Sequence, residues 1–180
     1  MHGNVLFVMC QKEYKIKIRK STSQIVMWIP KLGHFILAIN WGLTADIQAE
    51  LVLYCNFMMF YDVESNVIIS RGIIKQFQGS NDVKILEMLL TVIGNLLIQC
   101  IEEKKYDETK FLVRAANQIS TKPELFFYKN VIVLLENMIM YQYDAKDKYL
   151  QICHKAIENF SLLGMPEYGK EITRFFEKQK

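Results

Sequence analysis

From residue 44 onward, amphipathic segments of about 12 to 22 residues alternate with links of about two to five. No other feature constrains the fold as strongly. Apolar residues that recur every three or four positions specify helices with one buried stripe. Links this short make each helix fold back on the one before it, so the chain must build antiparallel helical hairpins. Breakers are scarce, with three prolines and eight glycines in 180 residues. An all-β fold would need many more turns than these supply. Hydrophobic residues make up 51% and charged residues 23%, enough apolar material for a core of ordinary size and unlike a disordered composition.

The helices read in order. Thr44 is placed to cap a first helix to about residue 60, with Ile47, Leu51, Tyr54, Cys55 and Met58 on one stripe. A second covers about 64–78, with Val67, Ile68 and Ile74 on its apolar face. Gly79-Ser80-Asn81-Asp82 is a turn and cap before a long Leu- and Ile-rich helix over about 82–103. The charged turn Glu102-Glu103-Lys104-Lys105 stops it, and Tyr106-Asp107-Glu108 opens a helix ending near Ile119. Pro123 and Glu124 suit the first turn of a helix reaching about Tyr143. Helices follow over about 146–163 and 167–177, parted by Gly164 and Pro166.

Residues 1–40 read as an N-terminal arm or linker, and 41–180 as one helical-repeat domain. Within the arm, Tyr14, Ile16 and Ile18 alternate with Lys15, Lys17 and Arg19, a strand periodicity. Pro30 and Gly33 break the apolar stretch that follows. The net charge of +3 is concentrated between Lys12 and Lys20, which carry about +4. A solvated tail explains that segment more simply than contact with nucleic acid or an acidic membrane.

The segment Ile93 to Pro123 follows the pattern of a tetratricopeptide repeat. Tyr106-Asp107-Glu108 is the aromatic-acid-acid turn, and Thr109 and Ala116 are small residues where paired helices cross. A weaker unit, Asn130 to Leu163, keeps a small residue at Ala156 but has Tyr149 where another is expected. The expected fold is therefore all-α, with stacked hairpins forming a right-handed superhelix whose first helices line a groove. A groove of that kind suits an extended peptide, and amides there pair with peptide bonds because they both donate and accept. Asn95 and Gln99, four apart on one helix face, are candidates. The other reading of Asn95 is a satisfied buried amide at a helix crossing. Met58, Met59, Met88, Met138 and Met140 are either an adaptable binding surface or core filling.

Three places resemble the C-terminal regulatory domain of the Rgg/GadR/MutR-type transcriptional regulators of Gram-positive bacteria. The first is Trp41-Gly42 leading to Glu50-Leu51-Val52-Leu53-Tyr54-Cys55-Asn56 and Phe60-Tyr61-Asp62, with Cys55 in place of the usual glycine. The second is Asn95-Leu96-Leu97 through Ile101-Glu102-Glu103-Lys104-Lys105-Tyr106. The third is Ala156-Ile157 to Phe160-Ser161-Leu162-Leu163-Gly164, then Phe175-Phe176-Glu177-Lys178. The resemblance implies a cytoplasmic, pheromone-sensing (quorum-sensing) homodimer that binds a short signalling peptide and couples binding to a DNA-binding head. Groove candidates are then Asn56, Asn95, Gln99 and Met138. The C-terminal hairpin, through Phe160, Leu162, Leu163, Phe175 and Phe176, is the candidate dimer contact. The family places a helix-turn-helix before this region. Here about 40 residues precede the match, without paired helices and a basic recognition helix. The chain is accordingly expected to be a fragment or a headless paralogue that reaches DNA only through another domain.

Catalytic, cofactor and metal signatures are not found. Cys10, Cys55, Cys100 and Cys153 form no CxxC or Cys/His cluster, and read as free thiols in a reducing compartment. His2, His34 and His154 stand apart from any nucleophile, and no glycine-rich phosphate loop occurs. The acid pairs Glu102-Glu103 and Asp107-Glu108 lie at a solvated turn. No signal peptide is legible. The most apolar run, Leu89 to Ile101, is interrupted by Asn95 and Gln99 and falls short of the about 20 residues a membrane span needs.

Overall fold

The computed structural model describes residues 47–180. Thr44, the Trp41-Gly42 pair, Cys10, the arm and its basic segment all lie outside the described residues. Within them the chain forms seven α-helices, with no strand. These are α1 (Ile47–Phe57), α2 (Val63–Phe77), α3 (Val83–Glu102), α4 (Thr109–Gln118), α5 (Phe126–Asp144), α6 (Asp147–Leu162) and α7 (Pro166–Gln179). Short 3₁₀ turns at Met58–Phe60 and Pro123–Leu125 follow α1 and precede α5. Every helix expected from residue 47 onward is present, with ends shifted by a few residues.

The helix ends follow local chemistry. The Asp62 carboxylate accepts from the Ser65 amide at 2.7 Å and caps α2. The Asp82 carboxylate accepts from the Lys84 amide at 2.9 Å and caps α3, each satisfying one free N–H of the first turn. Gly164, with φ of 78°, closes α6. The Met165 amide then reaches the Phe160 carbonyl at 2.8 Å, and the Gly164 amide that of Ser161 at 3.1 Å. This is the Schellman pairing, which needs a left-handed residue. The same pairing ends α3, where the Lys105 amide reaches the Cys100 carbonyl at 2.8 Å. There the left-handed position is held by Lys104, with φ of 57°.

Helix α3 is the centre of the bundle. It packs against α1, α2, α4 and α5, while α6 packs on α5 and α7 on α6. From Leu89 to Ile98 every residue of α3 is buried. A helix apolar on all sides is one surrounded by others, and each fully buried Leu or Ile contributes about 1.5–3 kcal/mol. At 20 residues α3 is long and apolar enough to cross a membrane by length and composition. The interrupted run read from the sequence understated it. Its packing neighbours account for its apolarity.

Polar side chains knit the hairpins. Asn130 donates from Nδ2 to the Ala156 carbonyl at 2.7 Å and accepts from Asn159 at 2.8 Å, tying α5 to α6. Ala156 is buried there, as the small position of a helix crossing requires. Lys129 donates from Nζ to the carbonyls of Ala116 and Ile119 at 2.7 and 2.6 Å, closing the C-terminal end of α4 with a cation. Burial holds its ammonium below the usual lysine range. Thr109 and Ala116, the expected small residues of α4, are both buried.

Candidate functional site

The turn Tyr106-Asp107-Glu108 is a joint between three helices. Glu108 pairs with Arg71 of α2, whose guanidinium lies 4.5 Å from the centre of the Phe111 ring. Lys105 bridges Glu64 of α2 at 3.0 Å and Glu103 at 2.8 Å. Those two carboxylates, Glu103 first, hold the Lys105 ammonium above the usual lysine range. The hydrogen bond from Lys105 holds Glu64 below the usual carboxylate range. Tyr143, the penultimate residue of α5, donates from its hydroxyl to the Tyr106 carbonyl at 3.2 Å. The two rings meet edge-on with centroids 6.0 Å apart.

Tyr143 stands between two open clefts. One encloses about 790 Å³ between α4 and α5. Its floor is apolar, from Val113, Ile139, Met140 and Tyr143. Lys110 and Arg114 stand on the α4 wall, Glu136 on the α5 wall, and Asn117 and Gln118 close one end. Met140 is 38% and Tyr143 52% exposed, so the floor is open to solvent. Lys110 lies 6.0 Å from the centre of the Tyr143 ring. The second cleft, about 750 Å³, runs from Val63 and Val67 of α2 to the Tyr106-Asp107-Glu108 turn. Ile68, expected on the buried face of α2, is 69% exposed and lines this cleft instead.

Neither cleft is lined by Asn56, Asn95, Gln99 or Met138, the groove residues expected from the sequence. Asn95 is fully buried, and among the described residues its Nδ2 and Oδ1 have no hydrogen-bond partner. It is a buried amide, but not the satisfied one that the other reading required. Gln99 donates from Nε2 to the Tyr61 carbonyl at 2.9 Å and accepts from Asn66 at 2.8 Å, so both ends of its amide are engaged within the fold. Met138 is buried in the core. Asn56 is half-buried on α1. Of the methionines, Met58 also fills the core, while Met59 and Met140 are exposed.

The C-terminal hairpin differs too. Phe160, Phe175 and Phe176 are buried within their own chain. Phe127 at the start of α5 supplies the extra apolar area. Its ring lies 5.6 Å from Phe160 and 5.2 Å from Tyr168, and Phe160 lies 4.8 Å from Tyr168. The expectation that these three phenylalanines form a dimer contact is therefore corrected. Leu162 and Leu163, 75% and 54% exposed, are the two of the five left on the surface.

The thiols fit an interior role. Cys55, Cys100 and Cys153 are buried, the last two as free thiols. Burial pushes the Cys100 thiol up to about 12 and the Cys153 thiol to about 11, far from the thiolate form that reacts or binds metal. No group of three or more potential metal ligands occurs among the described residues.

The family model for the C-terminal domain of the HTH-type transcriptional regulator Rgg matches residues 40–174. The chain belongs to the Rgg family. The match spans α1 to α6 and most of α7, so the hairpin stack and both clefts lie within the Rgg C-terminal domain. The chain thus carries the C-terminal domain of a transcription regulator, a family of regulators and not of enzymes. No curated protein and no solved structure gives a match.

Sequence reasoning missed the residues that build the clefts. Met140 was legible as a candidate surface methionine. Lys110, Arg114 and Glu136 look like ordinary solvated helix positions, and only the pairing of α4 with α5 sets them around one space.

Proposed function

We propose that this Rgg domain is a cytoplasmic sensor that takes a short apolar peptide in the cleft between α4 and α5. The observation that carries the reading is the lining. An apolar floor is ringed by amides and a few charges in a volume within the roughly 300–1,000 Å³ of small-ligand sites. Apolar side chains of a peptide would displace water from Val113, Ile139 and Met140, and Asn117 and Gln118 are placed for its backbone. A groove of lysine and arginine alone would instead suit an acidic tail of a partner protein. The Tyr106-Asp107-Glu108 joint adjoins the cleft and connects α2, α4 and α5, so occupancy would be felt across three helices. Two copies would associate through Leu162 and Leu163, and contact with DNA would belong to the helix-turn-helix part that the family name describes.

Calorimetric titration of the full chain with short hydrophobic peptides encoded beside its gene tests this. Micromolar or tighter binding is expected, and Met140→Arg, which sets a charge on the exposed floor, should abolish it. Binding that ignores Met140→Arg would move the site elsewhere, and no binding would remove the sensor reading.

A further inference from the structure

Resting on that peptide reading, we infer that the α4–α5 cleft recognises a free C-terminal carboxylate, held by Lys110 and Arg114. These two cations stand four residues apart on one wall, which places them on the same face of α4. Neither forms an ion pair among the described residues. That separates them from their cationic neighbours: Arg71 is neutralised by Glu108 and Lys105 by Glu64 and Glu103. The Lys110 ammonium lies 6.0 Å from the centre of the Tyr143 ring. Two unneutralised cations beside an apolar floor are complementary to an anion carried on an apolar ligand.

The opposite wall fixes the direction. Glu136 is half-buried, and it too forms no ion pair among the described residues. With Lys110 beside Tyr143, Glu136 stands two turns further back along α5, toward the Asn117–Gln118 end of the antiparallel α4, where it would accept peptide N–H groups. The carboxylate therefore sits toward Lys110 and Tyr143, and the chain leaves past Glu136. Lys110 to Gln118 spans about 12 Å of helix, the length of about three to four extended residues. The cleft reads the last three or four residues of the peptide, apolar in side chain and free at the C-terminus.

The test uses fluorescein-labelled octapeptides randomised over Leu, Ile, Val, Phe and Gly, made as one pool with a free acid terminus and one with a terminal amide. Fluorescence polarisation with the full chain should show the acid pool binding about tenfold tighter, the effect of one charge-assisted hydrogen bond. In the Lys110→Gln/Arg114→Gln variant that preference should disappear. Both positions are exposed, and circular dichroism checks that the variant is folded. Equal binding of the two pools by the wild type overturns the carboxylate inference alone. An acid preference that survives in the variant overturns the assignment to Lys110 and Arg114. If neither pool binds, the peptide reading falls and this inference with it.

Discussion

The Asn66 side chain donates to Oε1 of Gln99 at 2.8 Å, joining α2 to α3 across 33 residues of sequence. Asn66 is fully buried, and its amide is saturated. Nδ2 also donates to the Met58 carbonyl at 2.8 Å, and Oδ1 accepts from the Tyr54 hydroxyl at 3.1 Å. Tyr54 in turn bonds Ser70 at 3.1 Å. One amide thus holds the end of α1, the 3₁₀ turn, α2 and α3 in register.

Replacing it should be costly. Asn66→Ala leaves Gln99 Oε1 without its donor and takes a second donor from the Met58 carbonyl, while the Tyr54 hydroxyl keeps the residue-66 carbonyl and Ser70 as partners. The expected loss is about 2–3 kcal/mol, since each buried polar group left unpaired costs about 1–3 kcal/mol. Urea denaturation read by circular dichroism measures it. A loss under about 0.5 kcal/mol would mean that water replaces the amide.

Asn95 predicts the opposite sign. Its amide is buried without a partner among the described residues, so removing the polar atoms relieves a desolvation penalty. Asn95→Leu should raise stability by about 1–2 kcal/mol and leave peptide affinity unchanged, because the residue lines neither cleft. A fall in thermal midpoint would show that the amide is satisfied after all.

These two asparagines mark how far the sequence could be read. Helix positions were legible because the apolar period and the caps are local, as at Asp82 and Gly164. The identity of the interior amide was not. Asn66 sits in a helix of mixed composition and Asn95 in an apolar one, and which of them finds partners depends on how α1, α2 and α3 meet. The cleft was hidden for the same reason. Val113 and Met140 belong to different helices, and their joint floor exists only once α4 lies on α5. Likewise nothing in Glu103-Lys104-Lys105 announces a left-handed residue.

That residue carries a further prediction. A non-glycine side chain in the left-handed region costs about 1–2 kcal/mol, and Lys104 forms no ion pair among the described residues that would offset it. Lys104→Gly should stabilise the protein by about 1 kcal/mol, with the entropy of the more flexible unfolded chain reducing the gain. Gly164→Ala, at the equivalent end of α6, should destabilise it by a similar amount. Thermal unfolding of the pair decides the matter, and the same sign for both variants would refute the account.

The joint at Lys105 sets an acid dependence. The folded pKa of Glu64 is depressed by its hydrogen bond to Lys105. Its contribution is therefore present above the unfolded carboxylate value of about 4.3 and is lost as pH falls through the lower folded value. Urea midpoints should drop below about pH 4.5, and less steeply in Glu64→Gln, which has no carboxylate to protonate. Identical acid limbs in the two proteins would show that the pair adds nothing to stability.

Tyr143 connects this joint to the cleft, and its removal should separate binding from folding. The ring is half exposed and borders both clefts, and it meets the fold through an edge-on ring pair and a hydrogen bond to Tyr106 and through the Lys110 ammonium beside it. Tyr143→Ala should cost about 1 kcal/mol of stability, the scale of an aromatic pair. It should weaken the octapeptide acid pool about tenfold, because apolar side chains lose a wall of the cleft and Lys110 loses the ring beside it. Tyr143→Phe keeps the wall and loses only the bond to the Tyr106 carbonyl, so its affinity should stay within about twofold of wild type. If Tyr143→Phe weakens binding as much as Tyr143→Ala does, the hydroxyl's hold on the joint governs the site, and the ring acts through the fold instead of touching the peptide.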